Sequence, residues 1–466
     1  MGEGKTVQRS IRSEIVHHLK DRGYTLSKLA DLAGIRPGHM SEILNGNPPR
    51  ALTVGQLDAI GEVFGHEAGW LYELYAEEEC FSEGKVSKWR VVPFLVRCAE
   101  IGRHHCIEMT VSRLLDNPKN VSILFSIAEQ LFQSGRRKES VVFYQYVIDT
   151  EKNSYEERFL LSQYRLFQAL QGTNTEEHWA AVIRFEPYRK RLAENYQLDA
   201  LLKLANVCFL VQKWKEVEKY ADELRILATA VYEDKRKSNK DHEPLQTERH
   251  LVVYYGQGFL AKGVALQMQG LYEEAKECVK GYADLGWFEF LDEIGKEEVE
   301  KFRYWATANM YTYDILLGNI DILPTYLDFL VKHPTEIHAG LLTIMEAACK
   351  YNISVDHILE KYSEEINRFN SYHDPVNIGR HYHFRYCKAL YEYKRESISV
   401  GLEETLRCLD LSDKMNHHGN FKRSTELFWE NRQHASEQQK IAYHNILKGG
   451  SHHENKGVFA VTSGNI

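Results

Sequence analysis

The segment Tyr24–Gly46 constrains the fold of this chain more than any other stretch. It reads YTLSKLADLAGIRPGHMSEILNG, and its spacing predicts two short helices that pack at a sharp angle. Thr25 can cap the first helix, and Gly34 supplies a turn residue that is free to adopt a positive φ. Pro37 fits the first turn of the second helix, where its missing N–H costs nothing. Met40 then returns to the core.

The second helix of this pair has two chemically distinct faces. Met40, Ile43 and Leu44 recur at helical spacing and are expected to point inward. Arg, Asn and Glu are side chains that bond guanine, adenine and cytosine edges, and glycine permits close approach of the backbone. We therefore predict that the open face contacts DNA, although a purely structural helix pair is the alternative. The residues of that face are Arg36, Gly38, His39, Ser41, Glu42 and Asn45.

Flanking segments complete a five-helix unit that ends near Tyr75, and the capping box Thr53-x-x-Gln56 opens its fourth helix. Residues 1–50 hold eight Lys/Arg against five Asp/Glu, whereas the whole chain carries a net charge of −8. A basic N-terminal region on an otherwise acidic chain is suited to DNA contact by one small domain. The predicted phosphate contacts are Lys28, Arg22 and Arg50, with ordinary surface solvation as the alternative.

This pattern resembles the Cro/phage-repressor (XRE) helix-turn-helix family over residues 8–75. Two positions depart from the family pattern. Leu26 stands where the family usually has Gln, and Arg36 stands where it usually has Ser or Thr. The family's usual base contacts at these two places therefore do not carry over.

Composition and motifs narrow the classes of protein to which this chain can belong. A chain of 466 residues with 43% hydrophobic residues is expected to form at least two domains. It has no apolar run near ~20 residues, and its first residues lack the apolar core of a signal peptide, so we expect a cytoplasmic protein without a membrane partner. The eight cysteines include no C-x-x-C pair, and no catalytic motif appears. We therefore expect no disulfide framework, metal, cofactor or enzyme activity.

From about residue 85 the chain is expected to be helical almost throughout, with imperfect repeats at tetratricopeptide-like spacing. The three clearest repeats are Leu124–Val147, Leu201–Leu224 and Phe259–Tyr282, whose starts differ by 77 and 58 residues. Stacked helix pairs of this kind form a superhelix with a concave binding surface, although a dimerisation spacer is the alternative. Degenerate units are expected to intervene, at Ser154–Leu192, Arg303–Leu330, Ile337–Ile366 and Val376–Leu409. The capping box Ser154-x-x-Glu157 is expected to open the first of these units. A charged loop between helices is expected over Val231–Thr247.

The predicted fold is therefore all-α, with a five-helix helix-turn-helix domain followed by a degenerate tetratricopeptide-like right-handed solenoid. The reader domain is expected over 1–78 and a helical linker or dimer contact over 79–118. The repeat domain is expected over 119–448, and a disordered tail over 449–466.

This domain order resembles that of the RRNPP family, the peptide-pheromone receptors of Gram-positive bacteria and their phages. The resemblance implies a cytoplasmic homodimer that binds an inverted-repeat DNA operator and is controlled by a short signalling peptide in the repeat groove. Family members hold the peptide backbone with Asn side chains, and an amide can both donate to and accept from that backbone. The corresponding candidates here are Asn206, Asn309, Gln267, Gln163, Tyr313 and Arg380.

Alternatives remain both for the individual candidate residues and for the function of the whole chain. For Asn206 and Asn309 the alternative to peptide contact is a hydrogen bond between helices. Arg380 is a candidate because a basic residue could bind a peptide carboxylate. For the whole chain the alternative is a repeat scaffold that binds a protein partner, with the helix-turn-helix acting as a ligand-independent repressor.

Overall fold

A computed structural model of the chain describes residues 9–82, 85–170, 175–237, 246–372, 375–415 and 417–449. Helices dominate these residues, which confirms the all-α prediction. One antiparallel pair of two-residue strands, which the sequence did not predict, is also present. The chain divides into two compact units, Met1–Gln171 (unit 1) and Gly172–Ile466 (unit 2). The tail predicted for 449–466 lies, from residue 450 onward, outside the described residues. The domain bounds predicted from the sequence stay predictions.

Unit 1 begins with five short helices and continues into longer helical hairpins. One apolar core runs through it from Ile11 in its first helix to Val147 in its ninth. Its elements are α1 Ile11–Arg22, α2 Leu26–Leu32, α3 Pro37–Asn45, α4 Val54–Val63, α5 Tyr72–Tyr75, a π-helical turn Ala76–Cys80, β1 Phe81–Ser82, β2 Lys85–Val86, α6 Lys88–Glu100, α7 His104–Leu114, α8 Val121–Gln133, α9 Arg137–Thr150 and α10 Glu157–Ala169.

Unit 2 is a succession of helices in the part of the chain that the structure describes. Its elements are α11 Thr175–Phe185, α12 Glu194–Leu210, α13 Trp214–Lys237, α14 Leu251–Gln267, α15 Tyr272–Val279, α16 Glu293–Leu316, α17 Leu323–Lys332, α18 Ile337–Tyr351, α19 Asp356–Lys361, α20 Ser363–Arg368, α21 Pro375–Lys394, α22 Ile398–Lys414, α23 His418–Asn431 and α24 Glu437–Gly449. Helices α12, α14, α16, α18 and α21 contact one another in that order, and each also packs on a neighbouring helix.

The helix ends of the first 75 residues follow from local chemistry. The Thr25 side chain accepts from the backbone N–H of Lys28, and Thr53 and Gln56 form the predicted reciprocal capping box. Gly34 has a φ of 64°, as predicted for the turn between α2 and α3. These caps satisfy backbone N–H groups that a short helix otherwise leaves without partners.

The longer hairpins share one way of ending their first helix. A residue in the left-handed conformation, which we call the cap, follows that helix at seven sites in the described chain. At six of these sites the backbone N–H of the residue after the cap donates to the carbonyl of the residue four positions before the cap. The seven cap residues are Gly102, Gly135, Gln212, Gly270, Gly318, Asn352 and Glu396. The caps at 135, 212 and 270 are 77 and 58 residues apart, which matches the offsets between the three repeats predicted from the sequence.

Two local predictions were wrong. The expected capping box Ser154-x-x-Glu157 does not form, because Glu156 occupies the N-cap of α10 without a side-chain cap bond. The charged loop expected over Val231–Thr247 was wrong at its start, since α13 continues to Lys237. Tyr232 is buried there with its ring centroid 4.3 Å from that of Phe288, and this packing extends the helix through a charged sequence.

Candidate functional site

Helix α3 is held against α2 by an apolar contact and a tight turn. The backbone N–H of Ile35 donates to the Ala30 carbonyl at 2.9 Å, which closes the end of α2. Ala30, Met40 and Ile43 are buried, with exposed fractions of 0%, 0% and 1%. The inward face predicted for α3 is therefore confirmed at these positions, whereas Leu44 is half-buried.

The six predicted base-contacting residues occupy the outward surface of α3 and the residue before it. Arg36, Gly38, Glu42 and Asn45 are exposed, and the remaining two positions, His39 and Ser41, are half-buried. The structure thus brings donors, acceptors and a glycine together on one short helix. This is the chemistry that base edges in a major groove require.

An ion pair lies on this surface. Arg50 Nη1 donates to Glu42 Oε2 at 2.6 Å, and the Arg50 backbone N–H donates to the Glu42 carbonyl at 2.9 Å. The hydrogen bond from Arg50 lowers the pKa of Glu42, so this carboxylate stays ionised near neutral pH. Both side chains are exposed, and an exposed pair of this kind is weak enough to exchange for contacts with DNA.

Arg12, in α1, forms hydrogen bonds that hold the C-terminal end of α3. Its Nε donates to the Ile43 carbonyl at 3.0 Å, and its Nη2 donates to the Arg50 carbonyl at 3.2 Å and to Glu79 at 2.8 Å. A guanidinium at carbonyl groups near a helix C-terminus is favourable both as a donor and by charge. Sequence reasoning missed this role because the partners lie 31 or more positions away.

The other predicted phosphate contacts have different surroundings. Arg22 Nη2 donates to the Phe64 carbonyl at 2.6 Å, so this guanidinium bonds the end of α4. Lys28 is exposed, with its Nζ 4.3 Å from the centroid of the Tyr24 ring. Lys28 and Arg50 are therefore better placed to meet phosphates than Arg22.

A depression of about 370 Å³ adjoins the starts of α3 and α4. Backbone N–H groups at helix N-termini favour anions, and two starts beside one depression suit a phosphate. The depression is lined by Ala33, Gly34, Ile35, Arg36, His39, Thr53, Gly55, Gln56 and Ala59. Sequence analysis had selected Arg36 and His39 from this set for base contact.

The cap residues give the first helices of the hairpins a common register. Residues ten, six and three positions before each cap form what we call the cap-aligned stripe. In α12, α18 and α21 all three stripe residues are half-buried and reach solvent: Leu202, Asn206 and Phe209; Leu342, Glu346 and Cys349; Tyr386, Leu390 and Tyr393. In α14, Val264 and Gln267 are half-buried and Leu260 is buried, whereas the α16 counterparts Ala308, Thr312 and Ile315 are all buried.

Two of the six predicted peptide-contacting residues lie in this stripe. Asn206 is half-buried and its side chain makes no hydrogen bond within the part of the chain that the structure describes. Gln267 is half-buried in α14, three positions before the Gly270 cap. Both amides therefore remain available to a ligand.

The other four candidates lie outside the stripe. Asn309 Nδ2 donates to Tyr282 Oη at 2.8 Å, which is the hydrogen bond between helical segments that sequence analysis kept as the alternative. Tyr313 and Gln163 are buried, and neither Tyr313 Oη nor Gln163 Oε1 has a hydrogen-bond partner in the described chain. Arg380 is exposed near the start of α21, with its Nη1 3.5 Å from Asn377 Oδ1.

Sequence analysis also missed a pocket of about 500 Å³ between α16 and α17. Aromatic rings meet in it: the centroid of His333 lies 4.4 Å from that of Phe329 and 4.7 Å from that of Tyr304. The size is within the range of ligand pockets. Its lining is Glu300, Arg303, Tyr304, Thr307, Tyr311, Thr325, Asp328, Phe329, Lys332 and His333.

Two further features are absent from the described residues. No group of three His, Cys, Asp or Glu residues lies close enough there to hold a metal ion. In the same residues, no helix combines the length and the apolar character needed to cross a bilayer.

Comparison with known proteins gives no match to this chain, either among protein-family models or among curated proteins.

Proposed function

We propose that this protein is a cytoplasmic, sequence-specific DNA-binding transcription regulator whose DNA binding is controlled by a short signalling peptide. The observation that carries the proposal is the outward face of α3. That face presents Ser41, Glu42 and Asn45 beside an apolar inner face formed by Met40 and Ile43. A helix with one buried face and one base-reading face is what the major groove accepts.

Affinity and specificity would come from different residues. Lys28 and Arg50 would neutralise phosphates, which supplies salt-dependent affinity without sequence preference. Arg50 would leave Glu42 for a phosphate, and the freed carboxylate could then accept from a cytosine amino group. The α2–α3 pair would thus act as a helix-turn-helix in which contact with DNA frees the Glu42 carboxylate of the recognition helix.

Two copies would bind one operator. A helix of nine residues, such as α3, reads only a few base pairs, and two-fold pairing doubles the contact. The operator is therefore proposed to be an inverted repeat, bound by a homodimer.

The peptide would bind along the first helices of the hairpins, which we propose form a tetratricopeptide-like right-handed solenoid. Asn206 and Gln267 support this because their amides reach solvent in the cap-aligned stripe. A peptide changes DNA binding only through its different affinity for the two states of the protein. The opposing proposal, a scaffold for a protein partner, requires no such coupling.

DNA reading can be tested by changing the outward face of α3 alone. The triple variant Ser41→Ala, Glu42→Ala and Asn45→Ala should keep its helical circular dichroism spectrum and lose preference for a duplex selected from a random library. Each lost base contact should cost about 1–3 kcal/mol of discrimination. The control variant Glu108→Ala with Ser112→Ala, on the exposed side of α7, should keep the wild-type preference. Equal preference in all three proteins would refute the proposed recognition face.

A further inference from the structure

Glu346 stands out among the carboxylates of unit 2 because it lies six positions before the Asn352 cap, in the same register as Asn206 before Gln212. Both side chains are half-buried in the cap-aligned stripe. The stripe around Glu346 is otherwise apolar or weakly polar, with Leu342 and Cys349 on the same helix. The register therefore places one acid within a solvent-reaching, largely apolar surface.

The equivalent acid in unit 1 shows how such a position is satisfied. Glu129 lies six residues before the Gly135 cap, and its Oε1 accepts from Tyr144 Oη at 2.6 Å and from Arg165 Nε at 3.2 Å. Glu346 has no counterpart of either bond in the part of the chain that the structure describes. A mostly buried carboxylate without a donor is costly in a folded protein.

The nearby cations are bonded elsewhere. Lys350, one helical turn after Glu346, donates its Nζ to the Leu316 carbonyl at 3.0 Å and lies 4.8 Å from the centroid of the Tyr272 ring. Lys394 donates its Nζ to the Cys349 carbonyl at 2.5 Å. Other titratable groups that influence or adjoin the site, namely Tyr272, Cys349 and Cys387, are neutral near pH 7, because burial raises the pKa of each.

Burial alone raises the pKa of Glu346 to about 7. A carboxyl with this pKa is poised to ionise when a cation arrives, because the cation compensates the charge that burial penalises.

We propose that Glu346 binds a cationic group of the signalling peptide, either a Lys or Arg side chain or a free N-terminal ammonium. This inference rests on the proposed peptide binding and adds the charge of the ligand. Leu342, together with Tyr386 and Leu390 at stripe positions of the adjacent helix α21, would contact the hydrocarbon part of the bound residue. Asn206 would hold the peptide backbone without regard to its sequence.

The test uses the full-length protein and two pools of randomised hexapeptides, one with free N-termini and one N-acetylated. Protein-bound peptides are separated by gel filtration and identified by mass spectrometry. Wild type should enrich cationic peptides, and Glu346→Gln should reduce that enrichment about tenfold or more, as expected for a lost charged hydrogen bond. Enrichment of Lys or Arg in both pools assigns the side chain, whereas enrichment only of the free-amine pool assigns the ammonium.

Two controls separate this inference from the proposed function. Glu360→Gln, an exposed acid on α19, should retain the wild-type charge preference. Asn206→Ala should lower the total amount of bound peptide without changing its charge composition. Identical charge composition in wild type and Glu346→Gln would overturn the role of Glu346 while leaving peptide binding intact. Retention of no peptide by wild type would overturn both.

Discussion

At the scale of single residues, the buried carboxylate of Glu404 and the half-buried carboxylate of Glu346 have opposite surroundings. Glu404 is 3% exposed and pairs with Arg385 at 3.1 Å, Lys388 at 3.0 Å and Arg407 at 3.2 Å. Arg385 Nε also donates to His381 Nε2 at 2.9 Å. Burial and the adjacent guanidinium lower the pKa of His381 to about 3, so the imidazole is neutral and accepts this bond. Glu346, by contrast, has no cationic partner in the described chain.

Neutralising these two acids should therefore change stability in opposite directions. Glu404→Gln leaves three cations without their shared anion and should destabilise the protein by about 3–5 kcal/mol. Its neighbour Glu403 is exposed, and Glu403→Gln should change the melting temperature little. Glu346→Gln removes only the cost of burying a charge and should stabilise the protein by about 1–3 kcal/mol at pH 8.

The stabilisation by Glu346→Gln should depend on pH. The pKa of Glu346 is about 7 in the folded protein against 4.5 as the ordinary value. The folded state therefore binds more protons between these values, so wild-type stability falls as the pH rises from about 4.5 to 7. The advantage of the variant should be largest at pH 8 and small at pH 5. A difference in melting temperature between wild type and Glu346→Gln that is the same at pH 5, 7 and 8 would contradict this environment of Glu346.

At the scale of elements, the left-handed caps define the register of the hairpins. Gly270 has a φ of 78°, and a Cβ there would meet no atom within 4 Å. Gly270→Ala should therefore destabilise by about 1 kcal/mol through backbone conformation alone. Glu396 has a φ of 62° and already carries that cost, so Glu396→Gly should stabilise by a similar amount. Thermal unfolding of the two variants should move in opposite directions, and a shift in the same direction would show that the caps are not equivalent.

Elements whose causes lie close in the sequence could be predicted from it. The Thr25 cap, the Thr53 and Gln56 box and the Gly34 turn all depend on residues within a few positions. The bond from Arg12 to the Ile43 carbonyl could not be predicted, because it spans 31 residues. For Asn309 the sequence allowed a hydrogen bond between helices as the alternative to peptide contact, but it could not identify the partner, because Tyr282 lies 27 positions away. Glu346 lacks a cationic partner in the described chain because the nearby Lys350 Nζ donates to the Leu316 carbonyl instead. Only the packed structure shows this contact.

At the scale of the whole molecule, the chain combines in unit 1 the outward face of α3, which we propose reads base edges, with a stripe in unit 2 that reaches solvent in α12, α14, α18 and α21. Asn206 and Glu346 belong to unit 2, whereas Ser41 and Asn45 belong to unit 1. A regulator requires that occupation of one set change the affinity of the other. The peptide-controlled function therefore predicts a coupling free energy between distant residues, whereas a scaffold predicts none.

The most direct measurement is the affinity of the full-length protein for its selected duplex, with and without the peptide that it retains from the randomised pool. The account predicts that saturating peptide changes the dissociation constant for the duplex about fivefold or more. Asn206→Ala should retain the affinity for duplex and lose this response at the same peptide concentration. A wild-type protein that binds both the peptide and the duplex, yet has the same duplex affinity with and without peptide, would contradict the account.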